Sequence, residues 1–270
     1  MMLDATAAAE IREIRHRMFE RRLHALIAGV ILLVVALVLG VIIAVDPASS
    51  LVQGIDDRWL RWMVSSRTPF WTRVAKDVSA IGSVKVTLPL RLLVSAVLAW
   101  HRRWLQLGAF VGAVITSELC IGPVKALVDR PRPPNPLIAT SAASFPSGHA
   151  IAGAVTAFGL VVVLWPASPR RWMAIGFAAA FAGLMAISRT LLAAHWLTDT
   201  IAGACIDTSL ALVWPAALEL ARERHGRQRL LDRSPVLDEL ATPNEPVMPS
   251  ELAMPNESVM SNEPVMEDGL

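Results

Sequence analysis

Charge and cysteine are both scarce in this chain. Only 18% of its 270 residues are Asp, Glu, Lys or Arg, against 54% hydrophobic, and the mean hydropathy is +0.49. That balance excludes an ordinary soluble domain. The two cysteines, Cys120 and Cys205, lie within apolar stretches, where they read as small packing residues and say nothing about redox compartment. No carboxylate cluster and no His/Cys set is spaced for a metal, so neither a metal nor another cofactor is expected. Charge is wholly missing from Ala25 to Val45, an apolar run of 21 residues. At ~1.5 Å per residue such a helix crosses the roughly 30 Å hydrocarbon core. Arginines precede the run, as in a signal peptide, but its apolar part is too long and no small-x-small cleavage site stands out before Asp46. A retained anchor is the expectation.

Further apolar spans follow at about Ser83–Trp100, Trp104–Pro123, His149–Trp165, Trp172–Ile187 and Trp196–Leu218. Several are rich in Gly and Ala, as close helix packing in lipid requires. The expected fold is therefore all-α, a six-helix transmembrane bundle over residues 24–220. A basic segment, 1–23, precedes it; a basic juxtamembrane stretch and a tail, together 221–270, follow.

The basic residues orient the bundle. Arg12, Arg15, Arg17, Arg21 and Arg22 precede the first span, Arg102-Arg103 join the second and third, and Arg170-Arg171 join the fourth and fifth. Arg222, Arg224, Arg227, Arg229 and Arg233 follow the sixth. With six spans these segments share one side, and the positive-inside rule makes it cytoplasmic, with both termini there. The opposing segment Asp46–Gly82 also holds Arg58, Arg61, Arg67, Arg73 and Lys76, so the short loops decide the orientation.

Three polar segments then fall on the non-cytoplasmic face. The first holds Lys125 and Arg132 around a Pro-rich stretch, Arg130-Pro131-Arg132-Pro133-Pro134. The second, Pro146-Ser147-Gly148-His149, opens the fourth span: Ser147 suits an N-cap, Gly148 permits close backbone approach, and the helix start favours an anion beside His149. The third has Ser188-Arg189, then His195 and Asp199, which share a helix face at i and i+4. A carboxylate at that offset holds one ring nitrogen as N–H and leaves the other lone pair for attack. Taken singly, each segment has a plainer reading: snorkelling boundary cations, an ordinary helix start, a boundary histidine with a solvated aspartate. Taken together they assemble fixed cations, a helix N-terminus and two histidines, an inventory for phosphoryl transfer without a metal.

The chain resembles the type 2 phosphatidic-acid phosphatase superfamily, integral-membrane lipid phosphate phosphatases related to vanadium haloperoxidases. The pattern is Lys, six residues, Arg-Pro; then Pro-Ser-Gly-His; then Ser-Arg, five residues, His, three residues, Asp. Lys125, Arg132-Pro133, Pro146 to His149, Ser188-Arg189, His195 and Asp199 match it throughout, over roughly residues 24–220. Asp129 and Arg130 lie inside the first motif without an assigned role. The resemblance implies that His195 attacks phosphorus and becomes a phosphohistidine, that Asp199 orients and stabilises it, and that His149 protonates the leaving oxygen. Lys125, Arg132, Arg189, Ser147 and the Gly148 amide would neutralise the equatorial oxygens. It also implies a substrate such as undecaprenyl diphosphate, phosphatidate or phosphatidylglycerophosphate, without choosing among them. The expected partners are that lipid phosphate and the bilayer, with no nucleic acid and no oligomeric state implied. A phosphotransferase, a vanadate-dependent haloperoxidase and a non-enzymatic lipid transporter are the rival readings.

Three features stand apart from the motifs. Residues Leu51–Gly82 carry Trp59, Trp62 and Trp71 among arginines, a composition that suits an interfacial helix as well as it suits a structural loop. Residues 243–266 read as four hexapeptides, PNEPVM, PSELAM, PNESVM and SNEPVM, and from Ser234 onward there are eight acids and no Lys or Arg. One Glu per unit and dense proline predict a disordered acidic tail. Arg91 lies about eight residues into the second span, roughly 12 Å deep. A cation there needs an acid at similar depth, and Glu118 is favoured over Asp207 because the third span follows through a very short turn.

Overall fold

A computed structural model describes residues 5–46, 50–140, 143–149, 153, 156–157, 160–161 and 171–231. Seven helices are delimited among the described residues: α1 (Ala5–Val45), α2 (Ser50–Ser65), α3 (Pro69–Ile81), α4 (Val84–Trp100), α5 (Trp104–Val128), α6 (Arg171–Leu191) and α7 (Leu197–Leu231). Gly148, His149, Gly153, Thr156, Ala157, Leu160 and Val161 are also helical, where the sequence puts the fourth span. The rest of that span, and the hexapeptide repeats, lie outside the described residues.

Four described helices are long and apolar enough to cross a membrane: Arg22–Val45, Trp104–Val128, Met173–Leu191 and Leu197–Gly226. The expected second span is a helix of only 17 residues with Pro89 inside it. It joins the shorter α3 at a 43° bend, and the pair together would make a fifth crossing. Several helices outrun their apolar spans, because hydropathy marks the lipid-soluble part of a helix and not its hydrogen-bonded ends. Lys125 and Arg189 consequently stand in the last turns of α5 and α6.

The segment expected between the first two spans is a pair of helices. Thr68 opens α3: its side chain accepts the Trp71 N–H at 3.2 Å, and Pro69 follows at a helical position that needs no donor. Small residues set how closely the spans pack. A Cβ on Gly29 of α1 would lie 2.7 Å from Val213 Cγ2 of α7, and one on Gly112 of α5 would meet the Trp214 ring at 2.7 Å. Both helices therefore seat against α7 through glycine, as lipid-embedded helices do. At the other end of that contact, Arg22 of α1 pairs with Glu219 at 2.6 Å and with Glu223. Ala36, Ile43, Phe145 and Ala202 form a core directly beneath the motif loops. Most of the large side chains of α1, Ile31, Val34, Leu37 and Val41 among them, stay exposed, which fits a lipid-facing surface.

Candidate active site

The motif segments are joined by backbone. Proline lacks an N–H, so the stretch after α5 offers carbonyls without donors. Asp129 closes α5 in the left-handed conformation, φ 40°, with its N–H on Lys125 O. Pro131 O then accepts from Trp196 Nε1 at 2.8 Å and from Ser144 Oγ at 3.1 Å. Ser144 N–H donates to Arg130 O, Leu137 N–H to Leu192 O, and Ser147 N–H to Asp199 O at 3.1 Å. Residues from three distant stretches of sequence thus share one small buried volume.

His195, 2% exposed, occupies the turn between α6 and α7. Its Nε2 lies 3.3 Å from Arg132 Nη1. A guanidinium nitrogen only donates, so this contact requires the lone pair on Nε2 and the proton on Nδ1. Nδ1 faces Asp199 Oδ2 at 3.6 Å, an electrostatic contact longer than a hydrogen bond. The two residues expected to share a helix face are thus brought side by side, with Nε2 on the Arg132 side of the ring. Burial pushes the His195 imidazole down to about 4; Asp199 opposes the shift, while Arg189 and Arg132 reinforce it. Arg132 is itself lowered, chiefly by burial and against the pull of Asp199.

The cations converge. Lys125 Nζ donates to Ala143 O at 2.6 Å, and Arg132 reaches the same carbonyl through Nη2 at 3.3 Å and Ala194 O through Nη1 at 2.5 Å. Arg189, buried in the last turn of α6, donates to Ser79 Oγ of α3 at 2.6 Å, and its Nε has no partner among the described residues. His149 lies within electrostatic reach of Lys125, Arg132, Arg189 and His195, and Lys125 within reach of Arg132 and Arg189. Ser147 Oγ is buried and has no hydrogen-bond partner among the described residues. Among the described residues, a Cβ on Gly148 would come only into ordinary van der Waals contact, with the Ile121 side chain at 3.9 Å. His149 sits next to the bend between α3 and α4, 3.7 Å from where a Cβ on Gly82 would stand. No group of three His, Cys, Asp or Glu side chains among the described residues is arranged to hold a metal ion.

Five contributors escaped the sequence reading: Arg130, Asp56, Gln53, Thr198 and Ser79. Arg130 donates to Asp199 Oδ1 at 2.7 Å, Thr198 Oγ1 at 2.8 Å, Asp56 Oδ2 at 2.7 Å and Gln53 Oε1 at 3.1 Å, with its guanidinium 5.3 Å from the centre of the Trp196 ring. Asp56 also accepts the Thr198 N–H at 2.9 Å, capping α7 from a different helix. Arg130 was visible inside its motif. Nothing in the order of residues distinguishes Asp56 from Asp57, or tells that α2 docks on the start of α7.

Comparison with known proteins places the chain in a family. Residues 106–222 match the PAP2 superfamily. Phosphatidylglycerophosphatase B of Bacillus subtilis is 30% identical over 168 residues, which cover 60% of this chain and 82% of that protein. The crystal structure of a transmembrane PAP2-type phosphatidylglycerolphosphate phosphatase, also from Bacillus subtilis, superposes with a TM-score of 0.61 at 28% identity, covering 73% of this chain and 96% of the other.

Proposed function

Since the chain belongs to the PAP2 superfamily and is a multi-pass membrane protein, we propose that it hydrolyses a lipid phosphate through a phosphohistidine on His195, without a metal, at the non-cytoplasmic face. The observation that carries this reading is the disposition of His195, with Nε2 against Arg132 and Nδ1 toward Asp199. In the first step Nε2 attacks phosphorus and the bond to the lipid oxygen breaks, while His149 delivers a proton to that oxygen. In the second, His149 draws a proton from water, the water oxygen bonds to phosphorus, the P–N bond breaks, and phosphate leaves. Lys125, Arg132 and Arg189, with Ser147 and the Gly148 amide, hold the equatorial oxygens. Phosphoryl transfer needs positioning and charge neutralisation above all, and these groups supply both.

Phosphatidylglycerophosphate is the first substrate to try, because the curated relative carries that name; undecaprenyl diphosphate and phosphatidate are the comparators. The basic short loops support a topology with both termini in the cytoplasm. The test is phosphate release by the detergent-solubilised protein on each lipid, with acid-labile label trapped on His195 during turnover of ³²P substrate. Release without a labelled histidine would replace the covalent route by direct attack of water. No release from any lipid would return the transporter reading.

A further inference from the structure

The buried ions at the start of α7 form a chain that ends on the proposed nucleophile. Asp199 divides its oxygens: Oδ1 is held by Arg130 at 2.7 Å, while Oδ2 takes the Trp196 N–H at 2.9 Å and faces His195. Behind Arg130 stands Asp56 of α2, and Arg130 and Asp56 are 2% and 0% exposed. Burying two carboxylates and a guanidinium is expensive, and apolar side chains of similar volume would often hold a fold as well. Remove the guanidinium, and two buried carboxylates would share a site, where one of them takes a proton. A protonated or rotated Asp199 no longer holds His195 with its lone pair on Nε2.

We propose that Arg130 and Asp56 are positioning residues for phosphoryl transfer, fixing the ionised Asp199 so that its Oδ2 faces the nucleophile and making α2 a working part of the active site. The proposal rests on the reading of His195 as nucleophile. Arg130 and Asp56 act on Asp199 and on the start of α7, behind the proposed nucleophile, so their effect belongs in kcat. Lys at position 130 keeps the charge but lacks the fork that reaches Asp199 and Asp56 at once. Asn at position 56 keeps the volume but offers one acceptor to the three donors now shared by two carboxylate oxygens.

The test uses the full chain in detergent, with phosphatidylglycerophosphate as substrate and vanadate as a probe of the phosphate pocket. Arg130→Lys and Asp56→Asn are each expected to lower kcat by about tenfold or more, with KM and vanadate inhibition unchanged within about threefold. Combined, the two changes should do little more harm than the worse of them alone. A folded Asp56→Asn protein with wild-type kcat overturns the proposal. So does a rise in KM and loss of vanadate inhibition that parallel the fall in kcat, and so does loss of folded protein in both variants, which assigns the network to the fold. A His195→Ala control separates the premise: turnover by that protein defeats the nucleophile reading, whereas its silence beside unaffected Arg130 and Asp56 variants defeats this inference alone.

Discussion

Arg91 of α4 donates from Nη1 to Glu118 Oε1 of α5 at 2.7 Å, and from Nε to Thr156 Oγ1 at 3.1 Å. The acid expected from depth and connectivity is the one found. Arg91 is buried whereas the Glu118 side chain is half exposed, so the pair ties the adjacent helices α4 and α5. Arg91→Met should cost on the order of 2 kcal/mol, less than the ~3–5 kcal/mol of breaking a fully buried pair. Thermal unfolding in detergent should show this loss while specific activity of the surviving protein stays near wild type. An equal fall in specific activity would make the pair part of the catalytic machinery.

What was legible in the sequence follows from what kind of constraint each residue obeys. Lys125, Arg132, Ser147, His149, Arg189, His195 and Asp199 could be singled out because residue types suited to phosphate chemistry stand there at the spacings of a family motif. Arg91 and Glu118 were readable because lipid penalises a lone ion. The Asp56–Arg130 contact obeys neither rule. It depends on tertiary docking of α2, whose Asp56 and Asp57 look alike in sequence, yet Asp56 is fully buried under Arg130 while Asp57 accepts from Gln53 at 2.9 Å within its own helix. Ser79 is hidden for the same reason: only the packing of α3 on α6 brings it to Arg189.

The two histidines should fail differently. His195→Ala should abolish both turnover and phosphate labelling, since the nucleophile is gone. His149→Ala should lose about 10²–10⁴ in rate, the usual contribution of a general acid, while still binding substrate. Substrates with better leaving groups should recover part of that loss. Robust turnover by His195→Ala protein would end the phosphohistidine mechanism.

As the proposed nucleophile, His195 should set the acid side of the pH profile through its depressed imidazole. Its value of about 4, against an ordinary 6.5, keeps the lone pair available down to that region, so activity should persist well below pH 6.5 and fall as pH approaches 4. An alkaline limb would report the group that must hold a proton during transfer, making the profile a bell whose two values are macroscopic ones. The same depression gives stability its sign: below 6.5 the unfolded chain takes up the proton more readily, so this group makes the fold less stable as pH drops toward 4. An acid limb of kcat/KM centred near 6.5 would show that a different group controls it.

Metal removal separates cation-based from metal-based charge neutralisation. On the proposal that Lys125, Arg132 and Arg189 serve the equatorial oxygens, EDTA should leave phosphate release unchanged and vanadate should inhibit competitively. Loss of activity in EDTA that magnesium restores would overturn the metal-free reading.

Ser79 provides the sharpest test of whether α3 belongs to the phosphate site. Its hydroxyl accepts from Arg189 Nη1 at 2.6 Å, and both residues are buried. Ser79→Ala removes that acceptor and leaves the guanidinium less firmly aimed, a loss of about 1.5–3 kcal/mol for a hydrogen bond to a charged group. Arg189 is proposed to hold phosphate in the ground state as well as in flight, so the loss should appear in KM and in vanadate inhibition, roughly ten- to 150-fold at that energy. Ser79→Thr retains the hydroxyl and should recover most of the binding. This pattern is the reverse of the one expected for Asp56→Asn, where kcat falls and binding is kept. If Ser79→Ala leaves KM and vanadate inhibition untouched, Arg189 is held by its helix alone, and α3 contributes nothing to phosphate recognition.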